Sequence, residues 1–206
     1  MFPLGNPPEY EPDPSASIGA SAAPTGRSAL EVAYEYLIAG DGENLLFAPI
    51  ANYAERNLDV CAKMLADKNT LLGLGDGGAH VSIISDASFS TYLLTHWGRD
   101  RLRGRFDVEW LVRRLTSDSA RFIGLLDRGL IAPGMKADLN VIDFDALGLD
   151  VPYMVEDLPA GGRRLLQKAK GYRYTIVNGE ATYRDGEPTG ALPGRLVRGP
   201  KIAAPP

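Results

Sequence analysis

Leu30, Ala33, Tyr34, Leu37 and Ile38 fall at i, i+3, i+4, i+7 and i+8, which is one face of an α-helix. Ser28, three residues before Glu31, forms a capping-box pattern at its start, and Gly40 offers a C-terminal stop. Residues 44–49 are a short apolar run ended by proline and read as a buried strand. Asn57 is placed to cap a second helix over residues 58–68, with Leu58, Cys61, Ala62 and Leu65 turned inward. Residues 70–75 are again strand-like. Helix, strand, helix, strand at short spacing is the rhythm of a parallel α/β sheet or barrel. It puts Asp76 just past the carboxyl end of a strand, where such folds place their chemistry.

Further along, residues 86–98 have a helical pattern with Gly98 as terminator. Residues 106–116 form another, with Asp107 as cap and Val108, Leu111, Val112 and Leu115 inward, and residues 117–124 a shorter one. From about Asp127 the character changes. Residues 139–144 are an apolar strand, and Asn178-Gly179 is a two-residue hairpin signal between strand-like runs. The start of the chain differs from both: five prolines fall within the first fourteen residues. With no basic start and no continuous apolar core it does not read as a signal peptide. It is expected to be extended, as a linker or as an arm packed on something else. The pattern therefore divides the chain into a Pro-rich segment (1–27), a helix-rich part (28–126) and a β-rich part with a C-terminal tail (127–206).

Composition narrows the classes. With 45% hydrophobic and 23% charged residues the chain has the make-up of a soluble globular protein. A net charge of −4 gives no electrostatic reason to expect nucleic acid or an anionic membrane as partner. No apolar run reaches the roughly 18–20 residues that a membrane helix needs. A single cysteine, Cys61, excludes an internal disulfide framework and suits a reducing cytoplasm.

The candidate chemistry gathers in "LLGLGDGGAHVSIISD", residues 71–86. Gly73, Gly75 and Gly78 satisfy G-x-G-x-x-G, but no second strand with its acid follows, and there is no Lys-Ser/Thr, so a phosphate cradle is weakly supported. Asp76 is open to two readings: a turn residue or helix cap, or a metal-ligating acid with space left around it by the glycines. The histidines are only two. His80 lies four residues after Asp76, and His96 sits within a predicted amphipathic helix, where packing is its default role. A zinc site takes three or four ligands, so the chain is poorly equipped to hold a binuclear centre alone. Arg99, Arg101, Arg103 and Arg105 alternate in "GRDRLRGRFD" and read as a solvated loop or a subunit contact.

"LLGLGDGGAHVSIISDASFSTYLLTHWGRDR", "RRLTSDSARFIGLLDRGLIAPGMKADLNVIDFD" and "VNGEATYRDGEPTGALPGRLVR" together resemble the C-terminal part of D-aminoacylase-like, metal-dependent amidohydrolases. The resemblance implies an α/β fold: the last units of a (β/α)8 TIM-like barrel followed by a β-rich segment of a flanking small domain. It implies hydrolysis of a non-peptide carbon–nitrogen bond, such as an N-acyl amide, with Zn2+ or another divalent metal in the complete enzyme. By resemblance Asp76 touches that metal and relays a proton, while Gly75, Gly77, Gly78 and His80 shape the pocket rim. The family's His-x-His pair, bridging ligand and later metal histidines have no counterpart here. In place of the D-aminoacylase His-Pro-Arg segment stands Ser85-Asp86-Ala87-Ser88, so recognition of a free D-amino-acid carboxylate is not implied. The chain is accordingly expected to be a C-terminal piece, inactive and without stoichiometric metal on its own. A half barrel exposes strand edges and apolar helix faces. Its expected partners are an N-terminal barrel portion or further copies of itself, besides a small N-acyl substrate. The rival reading is a non-catalytic remnant or interaction module of the same fold.

Overall fold

The computed structural model describes residues 1–73 and 75–202. The Pro-rich start is packed against the rest of the chain. Strand β1 (Phe2–Pro3) pairs antiparallel with β2 (Leu46–Phe47), and helix α1 (Ile18–Ala22) follows, opened by Ser17, whose Oγ accepts from Ala20 N–H at 3.1 Å. Phe2, Leu4, Ile18 and Ala22 are buried. Of the two roles expected for this segment, the packed arm is the one observed, and its surface is the chain's own.

Helix α2 (Ala29–Ile38) forms as the periodicity predicts. Its capping box is complete: Glu31 N–H donates to Ser28 Oγ at 3.2 Å and Ser28 N–H donates to Glu31 Oε2 at 2.8 Å. Only Ala33 of its apolar residues is buried. Leu30 (74% exposed), Tyr34 (64%) and Ile38 (55%) face solvent. Amphipathicity therefore identified the helix, while the stripe expected to face a core lies on the outside. Helix α3 (Asp59–Ala66) follows, with Asn57 Oδ1 accepting from Asp59 N–H at 2.8 Å.

Helix α4 (Phe89–Tyr92) runs on through π-helical turns over Leu93–Asp100, beyond the stop expected at Gly98. Gly98 has a different task. A Cβ there would lie 3.1 Å from Leu111 Cδ1, so the glycine lets two helices approach closely. The second of these, α5 (Val108–Arg113), continues through Arg114–Asp118 into α6 (Ser119–Phe122). The core lies between these helices and the β-rich part: Leu72, Leu93, Leu94, Trp97, Leu111 and Leu147, with Leu58, Cys61, Ala62 and Leu65 of α3 packed against it.

In the β-rich part, β3 (Leu139–Ile142), β8 (Tyr172–Val177), β9 (Glu180–Arg184) and β10 (Glu187–Pro188) form a four-stranded sheet in the order β10-β9-β8-β3. The Asn178-Gly179 turn is as predicted, with φ of 53° and 83°, the doubly positive pair that a tight hairpin needs. Two further antiparallel pairs join β4 (Gly148–Leu149) to β7 (Ala169–Lys170), and β5 (Tyr153–Leu158) to β6 (Gly162–Leu166). The architecture is mixed α/β as expected, but every pairing between these strands is antiparallel. The strand expected over residues 70–75 does not form among its described residues, and Leu74 lies outside them. A barrel strand is held by neighbours on both sides. The partner taken by Leu46–Phe47 is instead the N-terminal arm.

One buried ionic cluster ties arm to helices. Arg101, 6% exposed and expected in a solvated run, donates from Nε to Glu11 Oε2 and from Nη2 to Glu11 Oε1, both at 2.8 Å. Its Nη2 also reaches Asp59 Oδ1 at 2.5 Å, and its guanidinium lies 4.6 Å from the centre of the Trp97 ring. Glu11 further accepts from Leu58 N–H and is bonded to His96 Nε2, both at 2.7 Å. Burial pushes the Glu11 carboxyl up, but Arg101, the Leu58 amide and His96 outweigh it and hold the group at about 2. Burial likewise pushes the His96 imidazole down, more than Glu11 raises it.

Both groups thus sit below their unfolded values of 4.5 and 6.5, so their contributions hold above those values and fade as acid is added. Replacing Arg101 by Leu leaves the buried Glu11 without its guanidinium partner, with only the Leu58 amide and His96 still bonded to it. Chemical denaturation is expected to show a loss of about 3–5 kcal/mol near neutrality. The variant should also lack the extra acid sensitivity that the wild type shows as pH falls from 4.5 toward 2.

Candidate functional site

The glycine-rich segment becomes a surface loop between Leu72, which is buried, and helix α4. Its backbone closes twice on itself: Ala79 N–H donates to Asp76 O at 2.9 Å, and Ile83 N–H to His80 O at 2.9 Å. No helix opens at Gly78, whose φ is 98°, so the dinucleotide reading fails on geometry as well as spacing. His80 itself takes a left-handed φ of 44°, which turns the chain sharply after the glycines.

Two of the glycines are required by what lies behind them. A Cβ on Gly75 would fall 2.8 Å from Asp86 O and 2.9 Å from Phe89 Cδ1, and one on Gly77 3.1 Å from Ala87 N. The loop is thus pressed against the turn Asp86–Ser88 that leads into α4. Ser88 Oγ donates to Gln167 Oε1 at 2.6 Å, and Gln167 Nε2 donates to Tyr10 OH at 2.9 Å. On the other side Leu165 N–H of β6 donates to Val81 O at 2.7 Å. Arm, helix and hairpin all meet at the base of this loop.

Of the expected site residues, Gly75 is half-buried, while Asp76, Gly77, Gly78 and His80 are all exposed. Asp76 thus stands free on an anchored backbone. The structure brings no further donor to it: among the described residues no group of three His, Cys, Asp or Glu side chains is placed to hold a metal ion. His96, the other histidine, is committed to Glu11 and stacked on Tyr92 at 4.7 Å. The donors among the described residues do not by themselves fit a metal centre.

An apolar groove of ≈ 1410 Å³ lies next to the loop. Gly73, Phe89 and Leu94 line one part of it, Val112 and Leu115 another, and Leu130, Ile131 and Ile142 come from the β-rich side. Asp76 and His80 do not line it. Sequence reasoning missed this groove, because its walls come from three separated segments whose apolar positions each looked like ordinary core. No helix among the described residues is long and apolar enough to cross a membrane.

Residues 20–183 match the amidohydrolase family, a span that includes the Asp76 loop. Among curated proteins the chain is similar to a dihydroorotase of Methanothermobacter thermautotrophicus, 33% identical over 91 residues, which is 41% of this chain and 20% of that protein. The chain thus spans about a fifth of the length of that relative. No solved structure matches it.

A methyl group at position 75 has no room, whereas Asp76 is exposed. Gly75→Ala is therefore expected to lower stability by about 1–3 kcal/mol through displaced loop backbone. Asp76→Asn should stay within about 0.5 kcal/mol of wild type. Urea unfolding of the two variants side by side checks both.

Proposed function

The chain belongs to the amidohydrolase family, and we propose that it supplies the proton-relaying carboxylate, Asp76, of a hydrolase acting on non-peptide carbon–nitrogen bonds. The observation that carries this reading is the state of Asp76: a carboxylate open to solvent, flanked by glycines, on a loop that α4 and β6 hold in place. Such a group can take a proton from the water that attacks an amide carbonyl. It can then return that proton to the departing amine, which leaves neutral. Gly77 and Gly78 leave the approach to the carboxylate clear of side chains, and His80 stands at its rim.

The finer assignment is also a proposal. The substrate class is N-acyl amides, as in D-aminoacylase-like enzymes, without the arginine that would hold a free D-amino-acid carboxylate. A divalent metal, zinc first, belongs to the complete site. Since the described donors do not form a metal centre, its other ligands come from residues outside this set. The one free cysteine favours a cytoplasmic setting. A non-catalytic interaction module is the second reading, supported by the lack of a three-ligand cluster among the described residues.

The metal-loaded assembly that contains this chain should hydrolyse N-acyl amides, and Asp76→Asn should lower kcat by on the order of a thousandfold. Near-normal kcat in that variant would reject the relay role. Absence of turnover in the wild-type assembly would favour the interaction module.

A further inference from the structure

The side-chain amide of Gln167 is bonded through both its oxygen and its nitrogen, and each bond goes to a different part of the chain. Oε1 accepts from Ser88 Oγ at 2.6 Å, in the turn that leads into α4. Nε2 donates to Tyr10 OH of the arm and to the carbonyl of Asp150, just past β4, both at 2.9 Å. Both of its N–H groups are thereby used. The glutamine is itself fixed. It directly follows β6, and its neighbour Lys168 accepts through its carbonyl from Asp150 N–H at 2.9 Å. Tyr10 meets the Phe47 and Tyr92 rings edge to face, with centroids 5.4 Å away in each case.

What this amide holds lies directly behind Asp76. The glycines on either side of the aspartate are the residues pressed on the turn that Ser88 closes, Gly75 against Asp86 O and Gly77 against Ala87 N. Any shift of that turn is therefore passed to the backbone on both sides of the carboxylate. We propose that Gln167 is a positioning residue for Asp76, acting through Ser88 and the Asp86–Ser88 turn. The inference rests on the relay reading of Asp76 for its catalytic meaning, since a proton relay needs its carboxylate in place. A misplacement of about 1 Å costs on the order of a hundredfold in rate. The side-chain type matters as much as the location. Only an amide accepts from one hydroxyl while donating to a second hydroxyl and to a carbonyl. An acid of the same shape would still accept from Ser88, but would turn an acceptor oxygen toward the Asp150 carbonyl.

Backbone ¹⁵N relaxation of the full chain tests it, read at Asp76–His80 with Val32 of α2 and Thr182 of β9 as controls. Wild type is expected to give loop order parameters of about 0.85, as for rigid backbone, and Gln167→Ala values below about 0.6. Gln167→Glu keeps the bulk and should loosen the loop as well, which a role in packing alone would not produce. Ser88→Ala cuts the same link from the other side. It should loosen the loop alike, and the double variant no further than either single one. Should Gln167→Ala fail to fold, Ser88→Ala and Gln167→Glu carry the test. A loop already loose in wild type would overturn the proposal. So would a loop unchanged in Ser88→Ala, a Gln167→Glu variant as ordered as wild type, or a loss of order shared equally by Val32 and Thr182. Loosening in these variants together with near-normal kcat for Asp76→Asn would uphold the link and reject only the relay.

Discussion

The buried pairing of Glu11 with Arg101 is what the rest of the structure depends on. Glu11 comes from the Pro-rich arm, Arg101 from the end of the helix begun by α4, and Leu58 and Asp59 from the start of α3. Three segments far apart in sequence are thus locked at one point, over the face of Trp97. Removing the charges from water is costly, and only the bidentate geometry with added donors makes the arrangement tolerable. Its consequence is positional. The arm that carries Glu11 also carries Tyr10, whose hydroxyl accepts from Gln167 beneath the glycine loop. The orientation of the Asp76 backbone therefore traces back, through Tyr10, Gln167 and Ser88, to an ion pair remote in sequence from the loop.

Local signals in the sequence were read well. Ser28 and Glu31 form their capping box, Asn57 bonds at the start of α3, and Asn178-Gly179 turns a hairpin, because each depends on residues within four positions of one another. What was illegible was long-range. Arg101 sits in an alternating run of arginines whose other members look alike, and nothing local marks it as the one that meets Glu11, ninety residues away. Gly98 looked like a helix stop and is a close-approach point, since its meaning depends on Leu111 across the contact. The α2 stripe has the period of a buried face, yet it faces outward. Periodicity reports that a face is apolar and is silent on which body covers it. The Asp76 loop was legible as a feature, with its carboxylate and tight glycines, while the apolar groove beside it was not.

These two shortfalls point the same way. The carboxylate stands in a well-anchored loop without companion ligands among the described residues, and large apolar side chains such as Leu30, Tyr34 and Ile131 are exposed. Membership of the amidohydrolase family together with a span of about a fifth of the dihydroorotase relative agrees with both. The Asp76 loop is well anchored, and on the proposed reading it is one part of a larger site.

The central claim is that Asp76 and its loop are one component of a site whose other donors lie elsewhere. Calorimetric titration of the purified chain with Zn2+, wild type beside Asp76→Asn, tests it most directly. The account predicts no tight stoichiometric site in either protein. One tightly held ion per wild-type chain, lost in the Asn variant, would contradict it.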